Sequence, residues 1–231
     1  MVSVAEMEGL IDGLCRPVGV YFAVRSIPLF DDEDQTERDV RQYLTDTEQS
    51  WYVTLRSKKR KSEFCAGRIA AKFAVRKLRP NLQITQINVL RGENGAPIVG
   101  GIGKIHLSIT HCASFAIAVA APFSVGLDLE VNEPRPKALI KYFMNEAECI
   151  QILGKDKIFQ DYETNRLWTR KEAVSKVGRW GGSLDFKTID CTSSNTTVSG
   201  RTIELVTNCL DGFIATLAYE KSLSNVSIDS V

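Results

Sequence analysis

The chain has 231 residues, 44% of them hydrophobic and 25% charged, with a formal net charge of +1. This is the make-up of an ordinary globular protein with room for one large domain or two small ones. A balance so close to neutral excludes a global pull toward nucleic acid or an anionic membrane, so any basic site has to be local.

The six cysteines are widely spaced and form no C-x-x-C pair. That argues against a structural zinc site and for a reducing compartment, expected to be the cytoplasm. The acidic start (Glu6, Glu8) carries no long apolar run, so no signal peptide is expected, and no stretch is long enough to span a bilayer.

In chain order, Val18 to Val24 predicts a short strand, interrupted by Pro28. Asp31 to Glu37 is an acidic run expected to open a helix that continues through Arg38 to Val53. Arg56 to Lys61 places five cations in six residues. Ser62 then reads as a helix start, and Phe64 to Leu78 has helical apolar spacing, ended by Pro80. Ile84 to Leu90 alternates as a strand, and Gly92 to Pro97 is a turn cluster. Gly100-Gly101-Ile102-Gly103 leads into a strand and not a helix, which rules out a dinucleotide-binding loop. Ile105 to Ile109 and Ser114 to Ala121 predict a hairpin joined through Thr110-His111-Cys112-Ala113.

Val125 to Glu130 predicts another strand. Lys137 to Tyr142, Asn145 to Leu153 and Tyr162 to Val177 read as helices, the last ended by Gly178, Gly181 and Gly182. Asp185 to Cys191, Thr202 to Thr207 and Phe213 to Tyr219 read as strands, and a polar tail follows from Ser222. The order strand, helical region, longer helix, three strands thus occurs twice. It predicts two similar α/β halves, residues 1–122 and 123–231, with a site between them.

In Val125-Gly126-Leu127-Asp128-Leu129-Glu130, strand alternation puts Asp128 and Glu130 on one face with no cation between them. If that face is buried, the pair requires a metal or a cation from elsewhere in the chain. On the helix that follows, Trp168, Glu172 and Lys176 share a face. Three carboxylates with waters and a polyphosphate would suit Mg²⁺. Two cationic features could hold phosphates: the Arg56 to Lys61 run with Arg68 and Lys72, and His111 beside Thr110. Each of these patterns also has a plain structural reading, as a solvated strand edge, a helical surface pair, a solvated loop or a turn histidine. His106 has no assigned role, and no G-x-S-x-G elbow supports a serine-hydrolase triad.

Four blocks in order resemble the 4′-phosphopantetheinyl transferase superfamily, in its longer single-chain (Sfp-like) branch. They are Glu63-Phe64-Cys65-Ala66-Gly67-Arg68-Ile69-Ala70-Ala71-Lys72, Leu107-Ser108-Ile109-Thr110-His111, Val125 to Glu130, and Trp168-Thr169-Arg170-Lys171-Glu172-Ala173-Val174-Ser175-Lys176. Phe143 to Glu148 adds a weaker fifth. The resemblance implies an α/β (α+β) fold of two halves related by pseudo-two-fold symmetry, with coenzyme A between them. It implies Mg²⁺-dependent transfer of the phosphopantetheine arm of CoA to a serine of an apo acyl or peptidyl carrier protein, releasing adenosine 3′,5′-bisphosphate. By position, Asp128, Glu130 and Glu172 become Mg²⁺ ligands, and Lys176 a pyrophosphate contact and acid for the leaving group. Thr110 and His111 become 3′-phosphate contacts, and Arg60 and Arg68 further CoA contacts.

One departure is plain. The family's frequent G-K-P turn reads Gly95-Ala96-Pro97 here, without its lysine. The serine nucleophile needs a base, either Glu172 (directly or through a metal-bound water) or a water held by Asp128. The chain is expected to act as a monomer, without nucleic-acid or membrane partners. A catalytically silent CoA- or carrier-binding module is the alternative reading. A nucleic-acid binder using the basic run is a third, which the charge balance disfavours.

Overall fold

A computed structural model describes residues 2–28, 33–152 and 154–220. The tail predicted from Ser222, the first acids of the 31–37 run and Leu153 lie outside the described residues.

Two antiparallel sheets carry the fold. In the first, β1 (Tyr21–Ser26) pairs with β5 (Phe115–Ala121), and β5 pairs with β4 (His106–Cys112). In the second, β6 (Val125–Val131) pairs with β9 (Phe213–Glu220), β9 with β8 (Arg201–Leu210), and β8 with β7 (Asn195–Val198). The orders β1-β5-β4 and β6-β9-β8 are the same. A small ribbon of β2 (Asn88–Arg91) and β3 (Pro97–Gly100) pairs with neither sheet and packs, through Val89 and Val99, against the first sheet and the long helix over it.

Each sheet carries one long helix on its outer face. Helix α4 (Lys58–Leu78) lays Ala70, Ala71, Ala74 and Val75 on the first sheet, and α7 (Lys157–Gly178) buries Ala173, Val174 and Val177 over the second. The small side chains let helix and sheet approach closely. Gly126 marks the limit: a Cβ there would lie 2.1 Å from the Ala173 carbonyl oxygen. The contact is backbone to backbone, so no rotamer can relieve it.

The inner faces share one core. Val125, Leu127 and Leu129 point inward to meet Val24, Ile117 and Val119, as strand alternation predicts. Helix α1 (Val4–Cys15) closes one side across β1 and β8, burying Met7, Leu10, Ile11 and Leu14. Each such side chain contributes about 1.5–3 kcal/mol relative to exposure. On the other side β4 runs beside β6 without a backbone ladder. Instead, the Leu127 and Leu129 N–H groups donate to Ser108 Oγ (3.0 Å) and Thr110 Oγ1 (3.4 Å). Two hydroxyls on one face of β4 thereby stitch the sheets together.

Two buried ion pairs repeat the symmetry. Lys72 on α4 meets Glu48 at 2.7 Å, and Lys171 on α7 meets Glu148 at 2.6 Å, all four side chains almost fully buried. Each glutamate caps a short helix, α3 (Asp46–Thr54) or, after α5 (Lys137–Phe143), α6 (Glu146–Ile152), by accepting from the Thr45 or the Asn145 N–H. Each also reaches a backbone N–H further on, of Val89 or Cys191.

Several sequence expectations need correction. The long helix predicted from Arg38 to Val53 is broken into α2 (Glu33–Tyr43) and α3, because Thr45 caps a new start. Helix α4 starts at Lys58, capped by Ser57, so most of the basic run is its first turn and not a loop. Thr110 and His111 lie within β4, and the hairpin turn is Ala113-Ser114, with Ala113 left-handed at φ 50°. Asp185 to Cys191 forms a 3₁₀ turn and coil, its backbone occupied by contacts such as the Lys171 bond to the Phe186 carbonyl. Helix α1 and strands β3 and β7 were not anticipated.

Candidate active site

The seam between β4 and β6 opens into a cavity of about 650 Å³. Its walls bring together Arg60, Thr110, His111, Asp128, Glu130, Glu172 and Lys176, with Trp168 and Glu63. A second cleft of about 420 Å³ adjoins it across Ile109, Trp168, Glu172 and Lys176, and extends to the Asn94–Pro97 turn and Arg179. Strand β6 supplies Asp128 and Glu130 on alternate positions, and α7 supplies Trp168, Glu172 and Lys176 on successive turns.

Asp128 is 5% exposed. Its Oδ1 accepts from Lys176 Nζ (2.7 Å) and Thr110 Oγ1 (3.2 Å). Its Oδ2 is buried without a partner among the described residues. Burial pushes the carboxyl up to about 7, against the pull of Lys176 and with reinforcement from Glu130 and Glu172. Lys176 also donates to the Leu127 carbonyl at 2.9 Å, which fixes it over the strand. Glu172 receives no hydrogen bond among the described residues. Burial raises its pKa, Lys176 lowers it and Glu130 raises it further. Glu130 accepts from Trp168 Nε1 (2.8 Å) and from Arg135 Nη2 (2.7 Å).

An orphaned buried carboxylate oxygen and a second carboxylate without hydrogen bonds fit a hard divalent cation with oxygen ligands. Among the described residues, no three His, Cys, Asp or Glu side chains are drawn together at ligand spacing. The three acids share the cavity without converging. Asp128 Oδ2 and Glu172 are the groups best placed to hold a metal.

On the opposite wall, His111 donates to the Glu63 backbone carbonyl and packs against α4. A Cβ at Gly67 would lie 2.4 Å from His111 Nε2, so glycine there makes room for the ring. The residue is exposed to the cavity, while its desolvated side lowers its pKa.

Two cations expected at the phosphates do not line the cavity. Lys72 is fully buried against Glu48 and the Ile87 carbonyl, where desolvation lowers its pKa against the opposing effect of the glutamate. Arg68 stacks over Phe64 at 4.7 Å with its Nε buried and unpartnered among the described residues, beside the cavity and not on its wall. Of the basic run, Arg60 faces the cavity. Arg56, Lys58 and Lys61 line a separate hollow of about 270 Å³ beside α2.

Sequence reasoning missed the roles of Lys171, Glu148 and Glu48. The helix-capping spacing of Thr45 to Glu48 and Asn145 to Glu148 was the available signal. It also missed Arg135, whose proximity to Glu130 in sequence was visible but whose direction was not.

Two family profiles match this chain in tandem. One is the 4′-phosphopantetheinyl transferase N-terminal domain, over residues 48–121, and the other the 4′-phosphopantetheinyl transferase superfamily, over residues 124–218. The holo-[acyl-carrier-protein] synthase of Petrotoga mobilis is 35% identical over 97 residues, covering 36% of this chain and 82% of that protein. The 4′-phosphopantetheinyl transferase psf-1 of Bacillus pumilus is 27% identical over 96 residues, covering 42% of this chain and 41% of that protein. The solved holo-(acyl-carrier-protein) synthase of Bacillus anthracis, in complex with CoA (3′,5′-ADP), aligns at a TM-score of 0.39 and 27% identity, covering 44% of this chain and 91% of that one.

The chain belongs to the 4′-phosphopantetheinyl transferase superfamily. With the N-terminal and superfamily profiles side by side in one chain, it falls in the longer, Sfp-like branch.

Proposed function

We propose that this protein transfers the 4′-phosphopantetheine arm of CoA to a serine of an apo acyl or peptidyl carrier protein. The observation that carries the mechanism is Asp128 and Glu172 facing one cavity around Lys176, with Arg60 and His111 on the opposite wall. Anions are favoured on the basic wall and a divalent cation on the acidic one, as a pyrophosphate ester with its counter-ion requires.

The carrier serine Oγ attacks the phosphorus that bears the pantetheine arm. An O–P bond forms to serine, and the bond from that phosphorus to the oxygen of adenosine 3′,5′-bisphosphate breaks. Glu172, with a raised pKa and no competing hydrogen bond among the described residues, takes the serine proton. Lys176 donates to the leaving phosphate oxygen, and its bond to the Leu127 carbonyl keeps it in place as charge develops. Arg60 and His111 hold the 3′-phosphate, with Thr110 beside them on the cavity wall and its hydroxyl proton committed to Asp128. Mg²⁺, held by Asp128 and Glu172 with Glu130 beside them, would offset pyrophosphate charge.

Residues 1–122 and 123–231 act as two halves of one unit. The first supplies Arg60, Thr110 and His111, and the second the acids and Lys176, so a single chain completes the cavity. Lys77 donates to the Phe22 carbonyl as Lys176 does to Leu127. Ala23 and Arg25 therefore stand where Asp128 and Glu130 stand, and α1 covers that side of the molecule. One working cleft remains. The protein acts in the cytoplasm, where CoA and apo carriers are available to it.

The test is incubation with CoA, Mg²⁺ and a panel of apo carriers, read by intact-protein mass spectrometry. The expected result is one phosphopantetheine added at the carrier serine, abolished by EDTA. No gain on any carrier rejects the proposal.

A further inference from the structure

Arg135 lies outside the cavity wall, yet it makes the shortest contact to Glu130. Its Nη2 donates to Glu130 Oε2 at 2.7 Å, while Trp168 Nε1 holds Oε1 at 2.8 Å. The carboxylate is thus fixed at both oxygens, which leaves lone pairs on each for a further partner.

Arg135 is itself held from three directions. Pro134 and Pro136 flank it and restrict the backbone on both sides. Its Nε donates to Asn165 Oδ1 at 2.6 Å. Asn165 is fully buried on α7, and its amide nitrogen donates to Asn132 Oδ1 and to the Glu133 and Asp161 carbonyls. One asparagine therefore pins the whole segment leaving β6 to the helix that carries Glu172. Trp168 is seated with similar firmness, edge-on to Phe143 (5.1 Å) and Phe186 (5.8 Å).

We propose that Arg135 is a positioning residue: with Asn165 behind it, it orients Glu130 toward the divalent-cation site of the cavity. The inference rests on the transferase reading only for the identity of that site. A surface ion pair would need neither an arginine between two prolines nor a fully buried asparagine to hold its second nitrogen. Partners outside the ligand set that fix a carboxylate or histidine govern metal affinity by orientation.

The experiment is a Mn²⁺ titration of the metal-stripped full chain, with free ion read by electron paramagnetic resonance. It compares wild type, Glu130→Gln, Arg135→Ala, Arg135→Lys and the double variant Glu130→Gln/Arg135→Ala, with thermal melting run on each. Arg135→Ala is expected to weaken Mn²⁺ binding by about 10-fold. The double variant is expected to bind no more weakly than Glu130→Gln, because both changes remove the same oriented carboxylate. Arg135→Lys keeps the charge without the fork and is expected to recover part of the loss. Should Arg135→Ala fail to melt cooperatively, Arg135→Lys against Glu130→Gln/Arg135→Lys replaces it in the cycle. Mn²⁺ affinity within twofold of wild type, or single losses that multiply in the double variant, overturns the proposal. A carrier that is modified by a wild type binding no Mn²⁺ also overturns it and leaves the transferase reading intact. Expected Mn²⁺ behaviour without carrier modification rejects the transferase reading and leaves Arg135 in its role.

Discussion

Lys171 Nζ lies 2.6 Å from the Glu148 carboxylate, and neither side chain reaches solvent. The ammonium also donates to the Phe143 and Phe186 carbonyls, so all three of its protons are used. Lys171 sits next to Glu172 in sequence, but the helix turns it about 100° away, off the cavity wall and into the core. Removing it strands a buried carboxylate and two carbonyls. Lys171→Ala is expected to cost about 3–5 kcal/mol in urea unfolding, as for other buried pairs with one partner removed. A loss below about 1 kcal/mol would show that the pair contributes little to stability.

Gly67 faces His111 across the α4–β4 contact. In an exposed helix interior, Gly→Ala stabilises by about 0.5–1 kcal/mol. Here the added methyl would lie 2.4 Å from His111 Nε2, so the ring must move. Gly67→Ala is therefore expected to gain nothing in stability and to weaken 3′,5′-ADP binding about 10-fold, or ~1.4 kcal/mol. Calorimetric titration and a melting curve read the two effects separately. A stabilised variant with unchanged nucleotide affinity would mean that His111 makes no contact there.

These positions show what the sequence carried and what it did not. The alternation of Val125 to Glu130 located the acids, because strand period alone decides which side chains share a face. The spacing of Trp168, Glu172 and Lys176 placed one wall for the same reason on a helix. Lys72 could not be read correctly: a lysine on an amphipathic helix looks solvated until its buried partner, Glu48, is brought beside it by the fold. Arg60 and Arg68 lie two turns apart on α4, yet one lines the cavity and the other stacks on Phe64. Thr110 and His111 were expected in a turn because the two-residue Ala113-Ser114 turn carries no glycine. Helix α1 was legible too, in the Ser3-to-Glu6 capping box and in Met7, Leu10, Ile11 and Leu14 at helical spacing.

Asp128 and Glu172 face the same cavity with different commitments. Asp128 is bound to Lys176 and Thr110, and Glu172 accepts no hydrogen bond among the described residues. Loss of a positioned base lowers rate by about 10²–10⁴-fold. Glu172→Gln is expected to fall in that range in kcat. Asp128→Asn is expected to lose Mg²⁺ dependence together with activity, while Tm is kept or raised, because an ionised carboxylate is no longer buried. Stopped-assay rates across a Mg²⁺ series separate the two. Near-normal rates in both variants would remove these acids from the mechanism.

His111 gives the pH dependence. Desolvation lowers its pKa, the Glu63 carbonyl and carboxylate draw it back up, and Lys176 and Arg68 lower it again. The free protein therefore holds the ring neutral at pH 7. The unfolded chain binds a proton here from the ordinary pKa of about 6.5 downward. The stability linked to this ring is thus present above that value, and it is lost as pH falls toward the lowered folded pKa. A phosphate beside the ring has the opposite preference and favours imidazolium. Binding of 3′,5′-ADP is accordingly expected to draw a proton onto His111 at pH 7, and affinity is expected to tighten as pH falls from 7.5 toward 6. Titration calorimetry in two buffers of unlike ionisation heat reads the proton directly, and His111→Gln should abolish the difference between buffers. Equal heats in both buffers for the wild type would mean that the ring stays neutral and takes no part in holding the 3′-phosphate.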